Sequence, residues 1–151
     1  MSIETRLTEL GITLPDAPAP AANYVPFARS CTLVFVSGQI SQDANGLIKG
    51  RLGEDMDVAA GAAAARRCGL SLIAQVKAAV GSLDKVARVV KLSGFVNSTG
   101  AFTDQPEVIN GCSDLMVEVF GDKGRHSRAA VSVPALPRGV AVEIEAIFEV
   151  E

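Results

Sequence analysis

The chain has 151 residues, 48% of them hydrophobic and 21% charged. That suits one domain with a buried core and is too apolar for a disordered chain. The formal net charge of −3 argues against polyanionic partners such as nucleic acid. Three cysteines without CxxC spacing and a single histidine leave no zinc motif, and an odd number of thiols in apolar contexts suits a reducing compartment. The amino terminus, MSIETRLTEL, is polar at intervals and does not read as a signal peptide, and no apolar run is long enough to span a bilayer. A soluble cytoplasmic protein without a zinc site is the expectation.

Ser2 to Leu10 reads as a short helix, capped by Ser2 and ended by Gly11. Leu14 to Pro20 is an extended, proline-rich lead-in. Residues 1–22 are therefore set apart from a single domain over 23–151. Tyr24 to Ala28, broken by Pro26, should lie on a sheet edge or end at a bulge. Cys31 to Val36 reads as a buried strand running into Ser37-Gly38, where glycine would leave the backbone open to a ligand. Asp43-Ala44-Asn45-Gly46 is a hairpin turn.

Asp57 to Val80 is the first long helix, with an apolar stripe of Val58, Ala62, Ala65, Gly69, Leu72, Val76 and Ala79. Arg66 and Arg67 fall beside the opposite face as a solvated pair. Leu83 to Val96 returns as a strand. The second long helix begins at Thr103 or Asp104 and buries Val108, Ile109, Cys112, Leu115, Met116, Val119 and Phe120. Cys112 lies on that stripe and reads as core. Asn110 lies off it, either on the surface or aimed at a site near the helix start.

The last stretch, Gly124 to Glu151, reads as two strands joined by a turn through Pro134, Pro137 and Gly139. In the second, Val140, Val142, Ile144, Ala146, Phe148 and Val150 alternate with glutamates. In the first, Ala129, Val131 and Val133 alternate with Arg128, Ala130 and Ser132. A hairpin sharing one apolar face would put Arg128 and Glu143 together on the other face, as a site or as an ordinary surface pair. The order of elements predicts an α+β fold, a mixed sheet with both long helices on one face. The uncovered face invites self-association.

Three groups of residues carry a family likeness. They are Val36-Ser37-Gly38-Gln39-Ile40, Asn110, and Ser127-Arg128 followed by Leu136-Pro137 and Val142 to Ile147. Over roughly residues 20–151 the chain resembles the RidA/YjgF reactive-intermediate deaminase family, in a divergent branch marked by Asn110-Gly-Cys-Ser-Asp-Leu115 and Phe120-Gly-Asp-Lys-Gly-Arg-His-Ser-Arg128. The resemblance implies a chorismate-mutase-like fold and a homotrimer with three clefts between subunits. It also implies hydrolysis of enamines or imines such as 2-aminoacrylate to 2-keto acids and ammonia.

By the same resemblance, Arg128 would grip the substrate carboxylate, a task suited to a guanidinium fork. Glu143 would handle a water or a proton. Tyr24 would close the cleft, Ser37 and Gly38 would line it, and Asn110 would lie near it. The chain departs from the deaminase pattern at Ala130, where those proteins usually carry cysteine, and in its amino-terminal helix and longer Gly121–Ser127 segment. His126, in that segment, offers either a second acid–base group or a loop or interface role. A small-carboxylate-binding trimer without catalysis is the alternative. An endoribonuclease fits poorly with the acidic balance and the lack of a basic aromatic surface.

Overall fold

The computed structural model describes all 151 residues. Helix α1 (Ile3–Glu9) starts where the Ser2 side chain accepts a hydrogen bond from the Thr5 amide, and it buries Leu7. The lead-in has no regular element before β1 (Phe27–Ser30), which begins directly after Pro26 on the sheet edge. A proline there interrupts no ladder. Strand β2 (Leu33–Ile40) pairs antiparallel with β1. Cys31 occupies the turn between them at φ 53° and is exposed. The expected strand start at a buried Cys31 is therefore corrected: a two-residue reversal has no inward-facing position.

Strands β3 (Gln42–Asp43) and β4 (Gly46–Leu47) form the small hairpin, with Gly46 at φ 113°. Helix α2 (Val58–Val80) is capped by Asp57, whose side chain accepts from the Ala60 amide. It buries Leu70 to Val76 without a break, more than one stripe, because the sheet, the second long helix and the lead-in cover it from different sides. Arg66 and Arg67 are half-buried and partnered: Arg66 pairs with Glu118 at 3.3 Å, and Arg67 Nε donates to the Gln42 carbonyl.

Strand β5 (Val86–Asn97) precedes helix α3 (Gln105–Phe120), in which all seven residues of the predicted stripe are buried. Strands β6 (Ser127–Val133) and β7 (Val142–Val150) complete a five-stranded sheet of order β1-β2-β7-β5-β6. β5 and β6 run parallel; every other pair in that sheet is antiparallel. No helix is long and apolar enough to cross a membrane.

The expected hairpin between the last two strands does not form. β5 lies between them, and β7 pairs with β2 and β5. The faces of β6 are also the reverse of those expected. Leu92 stands opposite Arg128, Gly94 opposite Ala130 and Val96 opposite Ser132. Leu92, Gly94 and Val96 are buried towards the helices, so Arg128, Ala130 and Ser132 face the helices too. Val131 is left 46% exposed on the open face. Sterics explain the choice. A Cβ on Gly94 would collide with Ile109 of α3, so the helix comes too close for anything much larger than Ala130 beside it.

The core lies between the sheet and the two long helices and includes Leu7 of α1. Phe120 meets Phe148 edge to face, with ring centroids 6.4 Å apart. Where α2 crosses α3, a Cβ on Gly111 would run into the Ala62 carbonyl. Backbone cannot yield there as a side chain would, so overpacking outweighs the helix propensity that alanine adds. Gly111→Ala is expected to destabilise the fold by about 1–3 kcal/mol. Gly100→Ala, which meets open space, should stay within about 0.5 kcal/mol of the parent. Urea denaturation of both variants checks this.

Candidate functional site

The predicted site residues form two groups, one on each side of the sheet. The first group surrounds a groove of ≈ 700 Å³ on the open side, whose lining includes Pro18, Tyr24, Gly38, Gln39, Arg138 and Glu143. A bulge in β2 builds it. The register against β7 shifts between Val36 and Gln39, which turns Ser37 and Gly38 out of the regular ladder. Ser37 ties the preceding segment to the bulge: its Oγ donates to the Val25 carbonyl at 2.7 Å and its amide to the Pro26 carbonyl at 2.9 Å. Tyr24 follows that segment into the groove and is 47% exposed.

Glu143 faces Gly38. A Cβ at position 38 would lie 2.7 Å from Glu143 Oε2, so only glycine lets the carboxylate fold against the bulge. The ion pairs of the chain are Arg6–Glu9, Arg66–Glu118 and Arg125–Asp122, and Glu143 belongs to none of them. Burial, with a lesser contribution from the neighbouring Glu145 charge, raises its pKa above the ordinary carboxylate value. A carboxyl group of that kind exchanges a proton more readily near neutrality than a fully solvated one.

A second polar connection fixes the wall of the groove. Gln75 of α2 is 1% exposed, and its Nε2 donates to the Pro18 carbonyl at 2.6 Å and towards Gln39 Oε1 at 3.5 Å. Gln39 Nε2 in turn donates to the Ser37 carbonyl at 2.9 Å. The lead-in, the bulge and α2 thus share one chain of amides. Gln39 and Gln75 were not among the predicted site residues. A glutamine in the apolar second half of a helix is the signal that could have found Gln75.

The second group lies around Arg128, on the helical side. Its Nη1 donates to Ser113 Oγ at 3.1 Å and its Nη2 to the Pro106 carbonyl at 3.3 Å. Pro106, Asn110 and Ser113 recur at helical spacing, which puts Asn110 on the flank of α3 that Arg128 reaches. Asn110 is exposed. Ala130 lies two residues along β6 on the face of Arg128, packed against the core. His126 joins this group and not the groove: its Nε2 is 2.9 Å from Ser113 Oγ. Ser113 was not predicted. Its spacing from Pro106 and Asn110 was the available signal.

The two groups do not meet within one chain. Arg128 stands opposite Leu92, Leu92 stands opposite Ala146, and Ala146 faces the helices. Glu143 is three residues from Ala146 on the same strand and so faces the other way. The expectation that Arg128 and Glu143 share a sheet face is corrected. Arg128, like Glu143, forms no ion pair in its own chain.

The buried thiols are not nucleophiles. Burial pushes the Cys112 thiol up to about 12, although the charge of Arg128 works in the opposite direction. Burial, followed by the proximity of Cys112, holds the Cys68 thiol well above its ordinary value. Both stay protonated near neutrality.

A mixed sheet backed on one face by two long helices is the chorismate-mutase-like α+β architecture. The family model described as "YjgF/chorismate_mutase-like, putative endoribonuclease" matches residues 4–148, and the chain belongs to the YjgF family. It is 50% identical over 149 residues to Protein TCP17 of Trypanosoma cruzi, covering 97% of this chain and 93% of that protein. Among solved structures, Atu1372 of Agrobacterium tumefaciens is 48% identical with a TM-score of 0.90, covering 99% of this chain and 94% of that one. The likeness to E. coli TdcF with bound serine is weaker: 26% identity and a TM-score of 0.64, covering 89% of this chain and 94% of that one.

The raised pKa of Glu143 has a consequence for stability. Folding penalises its charged form, so the penalty is fully present above the folded pKa and vanishes as pH falls below the unfolded one. Glu143→Gln removes the charge and breaks no ion pair in the chain. It should raise Tm modestly at neutral pH, and the gain should disappear on acidification through the carboxylate range. Thermal melts of both proteins across that range decide this, and a lower Tm for the variant at neutral pH would contradict it.

Proposed function

We propose that this protein hydrolyses reactive enamine and imine intermediates of the 2-aminoacrylate type to 2-keto acids and ammonia, in clefts between the subunits of a homotrimer. The carrying observation is a cation and a carboxylate that each lack a charged partner and lie on opposite faces of one sheet. A second copy that places its Arg128 at the mouth of the groove would complete the site. The open sheet face, with Phe35 42% and Val131 46% exposed, supplies apolar surface for such an assembly.

In this reading Arg128 of one copy holds the substrate carboxylate through the N–H groups it does not use on Ser113 and Pro106. Tyr24, Ser37 and Gly38 of the next copy enclose the reacting end. The enamine first tautomerises to the imine. Water then adds across C=N, giving up its proton through Glu143, and the carbinolamine expels ammonia as the keto group forms. Glu143, with its raised proton affinity, takes and returns that proton. Bound serine in TdcF supports a small, amino-acid-derived carboxylate as the ligand class. This hydrolysis requires no metal or organic cofactor. A cytoplasmic setting goes with three free thiols.

Ala130 favours a second reading, a trimer that binds a small carboxylate without turning it over, because the deaminase pattern usually has cysteine there. The net charge of −3 and the carboxylate in the groove weigh against RNA as substrate. The test is keto-acid formation from freshly generated amino-acid imines, with wild type and Arg128→Ala side by side. Wild type should accelerate release, and Arg128→Ala should reduce it by about 100-fold or more, the scale of a lost charged anchor. Both should sediment as trimers. Saturable carboxylate binding without acceleration would select the second reading.

A further inference from the structure

We propose that Ser113 and His126 are positioning residues: a hydrogen-bonded relay from Gly124 through His126 and Ser113 holds the Arg128 guanidinium ready for a carboxylate. The inference rests on the reading of Arg128 as the carboxylate anchor and adds two residues that act through it.

The relay starts at the tight turn Gly121–Gly124, which follows α3. Gly124 is buried so closely against the Met116 carbonyl that a Cβ there would collide with it. The path of the turn is therefore fixed against the helix. The Gly124 carbonyl lies 2.6 Å from His126 Nδ1. A carbonyl only accepts, so Nδ1 carries the hydrogen. In the neutral ring Nε2 is then an acceptor, and it takes the Ser113 hydroxyl hydrogen at 2.9 Å. Donating to His126 turns the oxygen lone pairs of Ser113 away from the ring, and Arg128 Nη1 donates to that oxygen at 3.1 Å. The Pro106 carbonyl holds Nη2 at 3.3 Å.

Each contact on the guanidinium is neutral. A carboxylate at position 113 would neutralise Arg128, whereas a serine sets its direction and leaves its charge for a ligand. Two of the five guanidinium N–H donors are engaged and three remain. Fixing a long side chain before binding lowers the ordering cost that a ligand would otherwise bear. Ser113 and His126 are both half-buried, and the polar side-chain atoms of each are taken up in these hydrogen bonds.

Nitrogen-15 spectra of the side chains test the relay without any ligand. In wild type, the neutral ring of His126 should carry its hydrogen on Nδ1 and not on Nε2, and the two Nη groups of Arg128 should give separate signals. Ser113→Ala and His126→Ala should merge the Arg128 signals, and Ser113→Thr, which keeps the hydroxyl, should restore the separation. With an imine substrate, Ser113→Ala should raise KM about tenfold with kcat nearly unchanged, the signature of lost binding. Arg128 signals that are the same in wild type and Ser113→Ala would overturn the relay. Signals that respond as expected in a protein that turns over no imine would uphold the relay and remove only the deaminase reading.

Discussion

The parallel pairing of β5 with β6 determines what the rest of the molecule can do. β5 enters between β6 and β7 and fixes the register of Arg128 against Leu92. That register aims the arginine at α3 and leaves Glu143, two strands away, on the open face. A chain built this way carries Arg128 and Glu143 on opposite faces of its sheet. The cation has its supports and the carboxylate has its groove, and the strand between them is buried on its helical face. Parallel pairing requires a crossover, here α3, and the same helix supplies the polar flank on which Arg128 rests.

The two groups of residues are held by different means. On the groove side, close approach does most of the work: Glu143 lies against Gly38, and Gln75 joins the lead-in to the bulge through buried amides. A buried glutamine is costly unless satisfied, and here its Nε2 meets a carbonyl at 2.6 Å. The lead-in thereby becomes a wall of the groove, and α1 shares the main core through Leu7. On the helical side, neutral hydrogen bonds direct a charge without cancelling it. An unpaired cation lies on one face of the sheet and an unpaired, half-buried carboxylate on the other.

Legibility in the sequence followed the uniqueness of each pattern. α3 was readable to the residue because its buried residues fall in a single stripe, so burial and helical period coincide. α2 was readable only in part, because its second half is covered from several sides and buries Ser71 and Gln75 along with its apolar residues. The alternation in β7 was decisive, since glutamates cannot face the core. β6 misled twice. Its two faces carry residues of similar size, so the larger apolar ones looked like the inner set, and the Pro-Gly turn after it looked like the tip of a hairpin. Steric closeness of α3 at Gly94 and Ile109 decided the inner set, and nothing local in β6 reports that closeness. Ser113 and Gln75 matter through single hydrogen bonds to distant segments, which periodicity does not encode.

The central claim is that Arg128 of one copy works with Glu143 of another, and mixed oligomers test it most directly. Arg128→Ala and Glu143→Gln, each inactive alone, are unfolded together in equal amounts, refolded and assayed for keto-acid release. If each cleft draws the two residues from different copies, about a quarter of the clefts in randomly assembled closed rings regain both, and activity returns in that proportion. If the mixture stays as inactive as its parents although the oligomers have exchanged subunits, the two residues do not combine across copies and the account is wrong.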